Sequence, residues 1–190
     1  MEAATALDIE DGVLGAGAGY YAAIGSPEVT ARVAEETVRD APVSLSVLDS
    51  PTSGRRVAFV EIRLSPKSPV SWTREPDLGI ATDGGDGGFL TQSAVPDAAP
   101  DDTEVVEAFI AAFFPDPDDV STWHECLERS SGDRVDGVLF STGWGDGYYP
   151  TYLGEDAAGD VVSVVSFGGV VPWNLSGLPG APPPADEVGP

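Results

Sequence analysis

Short segments in which apolar and polar residues alternate predict a fold rich in β-strands. Two of them are separated by Pro51-Thr52-Ser53-Gly54, whose turn residues are typical of a β-hairpin. Two later ones flank a loop that contains Gly159, which indicates a second hairpin. The predicted strands cover residues 13–25, 42–48, 57–64, 138–140, 148–153 and 161–167.

Helical signals occur in three other parts of the chain. Ser26-Pro27-Glu28 supplies an N-cap, a proline at the first helical position and an early acid, and predicts a short helix that ends near Asp40. Residues 101–114 repeat apolar side chains at helical spacing. Asp118 or Asp119 can cap a following helix that ends near residue 130. The last two segments predict a helical pair near residues 103–130.

Together these elements predict an α+β fold. We expect an antiparallel, strand-rich body, formed by the 42–64 hairpin and the strands within 138–167, with the helical pair packed on one side. A chain of 190 residues fits one domain, which we place at residues 1–175. Residues 176–190 are rich in proline and glycine and predict a flexible tail.

The charge balance narrows the classes of partner. The chain carries 32 acidic and nine basic residues, a formal net charge of −23. Such a surface repels phosphate backbones and anionic lipid, so we expect neither nucleic-acid nor membrane binding. Three uses of the acidity stay open: a solvated surface suited to high salt or high expression, a docking face for a basic partner, and ligands for a cation.

Cysteine usage and the start of the chain indicate a cytoplasmic protein. Cys126 is the single cysteine, so no disulfide can form within the chain. The first residues lack a basic segment followed by an apolar run, and no stretch approaches 18 apolar residues. The sequence leaves the oligomeric state open.

One motif resembles a known family. Gly143-Trp144-Gly145-Asp146-Gly147 continues into Tyr148-Tyr149-Pro150 and a hydrophobic hairpin, which is similar to the G-W-G-D-G-x-Y-P signature of an uncharacterised bacterial family, domain of unknown function 4241. An earlier Asp-Gly segment of that family corresponds to Asp83-Gly84 or Asp86-Gly87. Ser166 stands where the resemblance implies an aspartate before Phe167. The resemblance implies one intact domain over roughly residues 10–170 and no particular activity.

The same motif supplies the candidate binding residues. Three glycines let the backbone take conformations closed to other residues while it presents Trp144 and Asp146. Tyr148, Tyr149 and Tyr152 add phenols, some of which could line a pocket. The structural alternative is that Asp146-Gly147 is simply a turn and that Trp144 packs over the core.

Metal and catalytic chemistry rest on incomplete sets. Asp83 and Asp86 lie in a glycine-rich loop that could wrap a divalent cation such as calcium, although no EF-hand spacing is present; otherwise no cofactor is expected. His124 and Glu128 share a helical face, but zinc would need further ligands. The chain has no phosphate-binding loop and no nucleophile elbow.

Two functions follow. The first is a non-enzymatic binding module that recognises a basic protein partner, as an antitoxin or immunity protein would. The alternative is a hydrolase or lyase with an aspartate-centred site at Asp146 with Asp83 or Asp86, which a metal ion could assist. The sequence does not decide whether the protein is an enzyme.

Overall fold

In the computed structural model, which describes residues 2–19, 21, 27–91, 107, 111, 127–131 and 134–188, the chain forms two antiparallel β-sheets. The strands are β1 (Glu2–Ile9), β2 (Val13–Ala18), β3 (Val29–Arg32), β4 (Val38–Ser50), β5 (Gly54–Arg63), β6 (Ser71–Thr82), β7 (Asp86–Thr91), β8 (Leu127–Ser131), β9 (Arg134–Ser141), β10 (Gly147–Glu155) and β11 (Val161–Phe167).

The six-stranded sheet has the order β1-β4-β5-β11-β10-β6, and the five-stranded sheet has the order β3-β2-β7-β9-β8. The chain passes between the sheets from β1 to β2, through a short 3-10 helix at Glu10–Gly12, from β3 to β4, from β6 to β7 and from β9 to β10. The last two connections lie side by side, because β6 pairs with β10 and β7 pairs with β9.

Both faces of the six-stranded sheet carry buried apolar residues. Along β5, Val60 and Ile62 belong to the main core, whereas the alternating Phe59 belongs to a second cluster. The main core also receives Phe89 and Phe140 from the five-stranded sheet, so it lies between the two sheets. The second cluster therefore lies on the opposite face of the six-stranded sheet, which we call the outer face.

Residues after β11 fold back over this outer face. Trp173, in a 3-10 helix at Trp173–Leu175, lies 4.8 Å from the rings of both Tyr152 and Phe167. Leu178 and Val188 pack against the same cluster. The predicted boundary at residue 175 and the flexibility of the tail stay predictions, because contacts do not measure motion.

The predicted α+β class is wrong. The fold consists of antiparallel sheets without any helix of seven or more residues among those described. Leu127, expected on the second helix of the pair, begins strand β8. Apart from Glu107 and Ala111, residues 101–126 of the predicted helical pair lie outside the described residues. No helix in the described part of the chain is long and apolar enough to cross a membrane.

The short helix predicted to end near Asp40 is also wrong. Val29–Arg32 is strand β3, paired with Val13–Ala16, and β4 begins at Val38. The capping signal at Ser26-Pro27-Glu28 is local, whereas β-branched residues such as Val29 and Thr30 favour the pleated edge of a sheet. Strand pairing outweighs a helix whose apolar face would be thin.

Candidate functional site

The two Asp-Gly segments singled out in the sequence meet at one edge of the molecule. The connection from β6 to β7 spans residues 82–86, and the connection from β9 to β10 spans residues 141–147. Gly147 is paired with Thr82 and Asp86 with Ser141, and the Thr142 amide donates to the Gly85 carbonyl over 2.9 Å. We call residues 82–86 and 141–147 the sheet corner.

Asp86 is the buried acid of the sheet corner, with a relative exposure of 5%. Its Oδ1 accepts a hydrogen bond from the Thr82 hydroxyl at 3.2 Å, and the Thr82 oxygen in turn accepts from the Gly84 amide at 3.1 Å. Burial raises the pKa of the Asp86 carboxyl above its ordinary value, and the nearby charge of Asp146 adds to the increase, while the Thr82 hydrogen bond opposes it.

Trp144 is displayed on the surface of the sheet corner in a fixed orientation. Its side chain is 55% exposed, although an indole is usually among the most buried groups. The indole N–H donates to the Gly169 carbonyl over 3.3 Å, and the Arg56 guanidinium lies 5.8 Å from the ring centroid. The ring is therefore held in place before any partner arrives.

The loop beneath Trp144 is closed by internal hydrogen bonds. The buried Tyr149 hydroxyl accepts from the Trp144 amide at 3.1 Å and donates to the Gly145 carbonyl at 2.8 Å. The Thr142 hydroxyl donates to the same carbonyl at 2.9 Å. Gly145 has a φ of 102°, a conformation that favours glycine and brings its carbonyl to both donors.

Gly143 packs the loop against Gly168, the residue that follows strand β11. A Cβ atom at Gly143 would lie 2.1 Å from the Gly168 carbonyl oxygen, so only glycine allows this approach. The Gly168 amide is itself bonded to the Ala58 carbonyl at 2.8 Å. The cavity beside this contact, lined in part by Ser141 and Ser166, measures about 10 Å³, barely room for one water.

The remaining predicted site residues have different surroundings. Asp83 and Asp146 are exposed, one in each loop of the sheet corner. Tyr148 lies over Gly79, with the Arg74 guanidinium 5.5 Å from its ring. Tyr152 is fully buried in the outer-face cluster, away from the sheet corner.

The described part of the chain contains no group of three or more His, Cys, Asp or Glu side chains that could hold a metal ion. Asp83 and Asp86, the predicted cation ligands, differ in setting: Asp83 is exposed, and Asp86 is buried with one oxygen bonded to Thr82. A cation at these two residues stays a prediction. His124 and Cys126 lie outside the described residues.

Sequence reasoning missed Thr82, Arg56 and Thr142. Thr82 and Thr142 act through hydroxyls whose partners are set by turn geometry, and a threonine in a turn carries no distinctive signal. Arg56 reaches Trp144 from a hairpin 88 positions earlier in the chain, which only the strand order can bring close.

The opposite end of β10 carries a second polar feature. Lys67 forms ion pairs with Asp156 and Asp160 in the hairpin between β10 and β11, the latter at 3.1 Å. Asp156 also accepts from the amides of Ala158 and Asp160, and the hydrogen bond from Lys67 lowers its pKa. An open groove of about 450 Å³ adjoins this hairpin and the loop after β3.

Comparison with known proteins gives a family without an assigned activity. The model of a family described as "Protein of unknown function (DUF4241)" matches residues 28–166. That range contains the whole sheet corner and ends before Phe167. No curated protein and no solved structure matches the chain.

Proposed function

Because the chain belongs to the DUF4241 family, whose description assigns no activity, we propose a function from its own residues: an acidic cytoplasmic binding module that recognises a basic protein partner through the sheet corner. The observation that carries the proposal is Trp144, an exposed aromatic ring held by a hydrogen bond to Gly169, at a sheet corner whose two loops also expose Asp83 and Asp146.

The charge of the whole chain supports a basic partner. With 32 acidic residues against nine basic ones, most carboxylates have no basic residue of the chain to pair with. Arg39, Arg63 and Lys67 are already engaged in ion pairs with Asp8, Glu61 and Asp156. The resulting negative field accelerates encounter with a positively charged surface and weakens with salt.

The form of the sheet corner supports a central contact. Tryptophan is among the residues that most often dominate the energy of an interface. The indole N–H of Trp144 is bonded to the Gly169 carbonyl, and its backbone amide is bonded to the Tyr149 hydroxyl. Binding therefore costs little conformational entropy at this side chain. A partner arginine or lysine could lie against the ring and bond to the carboxylate of Asp146 or Asp83.

The test is affinity capture from lysate of the native host at low salt, with Trp144→Ala and a matched control. Leu175, an exposed apolar residue at 70% exposure outside the sheet corner, supplies the control Leu175→Ala. We expect the wild type and Leu175→Ala to capture the same basic protein in equal amounts, and Trp144→Ala to capture at least about tenfold less of it. Capture of no basic protein, or equal capture by Trp144→Ala, would contradict the proposal.

The enzyme remains a second candidate because of one observation. Asp86 is a buried carboxyl of raised pKa, and Asp146 is an exposed acid close enough to contribute to that increase. A buried carboxyl of raised pKa is typical of a general acid. The cavity of about 10 Å³ at the sheet corner is lined by Thr142 and Gly143 but by neither of these acids, and it holds barely one water, which is why binding is placed first.

The substitution Asp146→Asn distinguishes the two candidate functions. This change keeps the size of the side chain and removes the charge. An enzyme of this kind would lose nearly all turnover of any substrate found for it while its melting temperature stays the same. A binding module would show weaker capture of the basic partner and no turnover in the wild type.

A further inference from the structure

The outer face of the six-stranded sheet presents aromatic side chains to a segment of the chain that follows Trp173. Its apolar surface is built by strands β5, β6, β10 and β11, and residues 176–188 run across it. The aromatic residues that these strands contribute are Phe59, Trp72, Tyr152 and Phe167.

The face holds the segment through its main chain. The indole N–H of Trp72 donates to the Pro179 carbonyl over 2.7 Å, and the Tyr152 hydroxyl donates to the Glu187 carbonyl over 2.7 Å. At the edge of β6, the Ala181 amide donates to the Val70 carbonyl over 2.8 Å, next to a parallel bridge between Ser71 and Ala181. Side-chain donors on the sheet thus bind carbonyls of the segment.

This arrangement suits a proline-rich ligand. Proline has no amide N–H, so its carbonyl is the main-chain group that a donor must recognise, and its fixed φ lowers the entropy lost on docking. Aromatic surfaces with such donors are a recurring means of binding proline-rich peptides. The docked segment has this composition, with prolines at positions 179, 182, 183 and 184.

We propose that the outer aromatic face is a binding site for a proline-rich peptide of a partner protein, and that residues 176–188 of the same chain occupy it in cis. Trp72 and Tyr152, the two donors, lie in the family-matched range, whereas the segment lies beyond its end at residue 166. The site is separate from the sheet corner and does not depend on the function proposed there.

Gly180 offers a way to release the segment without touching the face. Its φ is +92°, and a Cβ atom would lie 2.7 Å from the Val70 carbonyl carbon and 2.9 Å from the Pro69 oxygen, both backbone atoms. Gly177 has a similar φ of +78° with nothing within 4 Å. Gly180→Ala should therefore displace the segment, whereas Gly177→Ala carries only the backbone strain and serves as its control.

The experiment measures binding of a fluorescent synthetic peptide of residues 176–188 to the full chain by anisotropy. The protein variants are the wild type, Gly177→Ala, and the double variant Gly180→Ala with Ala181→Pro, which also removes the amide bonded to Val70. A tethered segment competes at an effective concentration in the millimolar range or above. We expect the double variant to bind the peptide at least about tenfold more tightly than the other two.

Two further readings test the chemistry of recognition. A peptide with its four prolines replaced by serine should bind about tenfold more weakly, because it must lose more conformational freedom. Tyr152→Phe in the double-variant background should weaken binding severalfold, because the Glu187 carbonyl of the peptide loses its donor. Limited proteolysis after residue 175 reports whether the segment is released.

Several outcomes would overturn the proposal. Equal affinity in all three proteins would place the peptide elsewhere, and no binding to a double variant with a protease-accessible segment would show that the face accepts no peptide. A segment still protected in the double variant would mean that these contacts do not hold it. A wild-type dimer that exchanges segments would assign the face to a second copy of the chain.

Discussion

The contact between Gly143 and Gly168 yields the sharpest stability prediction. In Gly143→Ala the new methyl group would lie 2.1 Å from the Gly168 oxygen and 2.8 Å from its carbon, whereas Cβ contacts below 3.0 Å are essentially never observed. The loop or the backbone at Gly168 must therefore move by about 0.9 Å to bring this distance from 2.1 Å to 3.0 Å. Neither side is a flexible side chain that can turn away.

The magnitude follows from what must move. The Gly168 amide is bonded to Ala58 at 2.8 Å, and the Gly143 loop is fixed by the Tyr149 and Thr142 hydroxyls. Overpacking a closed site costs about 1–3 kcal/mol, and two backbone obstacles place this change at the upper end, about 3 kcal/mol. For a domain of this size, the melting temperature should fall by roughly 6–12 °C.

Gly159→Ala is the matched control, assayed by thermal and urea unfolding. Gly159 has a φ of +87° and nothing within 4 Å of an added Cβ, so only conformational strain of about 1–2 kcal/mol opposes the change. If Gly143→Ala lost no more stability than Gly159→Ala, the close packing of the loop on Gly168 would be refuted.

Three further substitutions test the polar contacts. Asp86→Asn should be more stable than the wild type at neutral pH and equally stable below about pH 4. Burial raises the pKa of Asp86 in the folded state, so the wild type loses stability as pH rises through that pKa. Urea unfolding from pH 3 to 8 measures the difference in stability, and a difference independent of pH would contradict the prediction. Tyr149→Phe should cost about 1–2 kcal/mol and alter the tryptophan emission, because its hydroxyl bonds the loop at Trp144 and Gly145; an unchanged denaturant midpoint and unchanged emission would oppose this. Lys67→Met should remove the stability that the wild type gains from the ion pair of Lys67 with Asp156 above about pH 4 and loses as pH falls through the lowered pKa of Asp156. The rate of proteolysis of the β10–β11 hairpin, measured against pH, reports this loss. Identical pH profiles for the variant and the wild type would exclude it.

The sequence predicts the two hairpins of the six-stranded sheet correctly. The hairpins formed by β4 with β5 and by β10 with β11 match the alternation in residues 42–64 and 148–167. The alternation has its usual cause along β4, where Ala41, Val43 and Leu45 are buried and the residues between them are more exposed. Strands β5 and β11 are buried on both faces. Residues 13–18 form strand β2, whose glycines allow Pro27 and Glu28 to approach closely.

The failed helix at residues 26–40 shows the limit of local signals. A cap and a proline specify how a helix could begin, but a strand edge at Val13–Ala16 was available to pair with Val29–Arg32. That edge lies more than ten positions earlier, so no window around residue 30 contains it. Pairing with a distant strand determines the secondary structure of this segment, and a local sequence pattern contains no information about that pairing.

The sequence indicates the two Asp-Gly turns of the sheet corner but not that they meet. Glycines around Trp144 and Asp146 marked an unusual turn, and Asp83 and Asp86 marked another. Their proximity depends on β6 pairing with β10 while β7 pairs with β9, a consequence of two chain crossings between sheets. The burial of Asp86 depends on the same crossings.

The most direct measurement for the sheet corner is the dissociation constant of the captured basic partner at about 50 and about 300 mM salt, on either side of the range where the Debye length is near 10 Å. We predict that Trp144→Ala weakens binding by at least about tenfold, or about 1.4 kcal/mol, that Leu175→Ala leaves it unchanged, and that salt weakens it for the wild type. Equal affinity of Trp144→Ala and the wild type, or affinity independent of salt, would contradict recognition of a basic protein at this site.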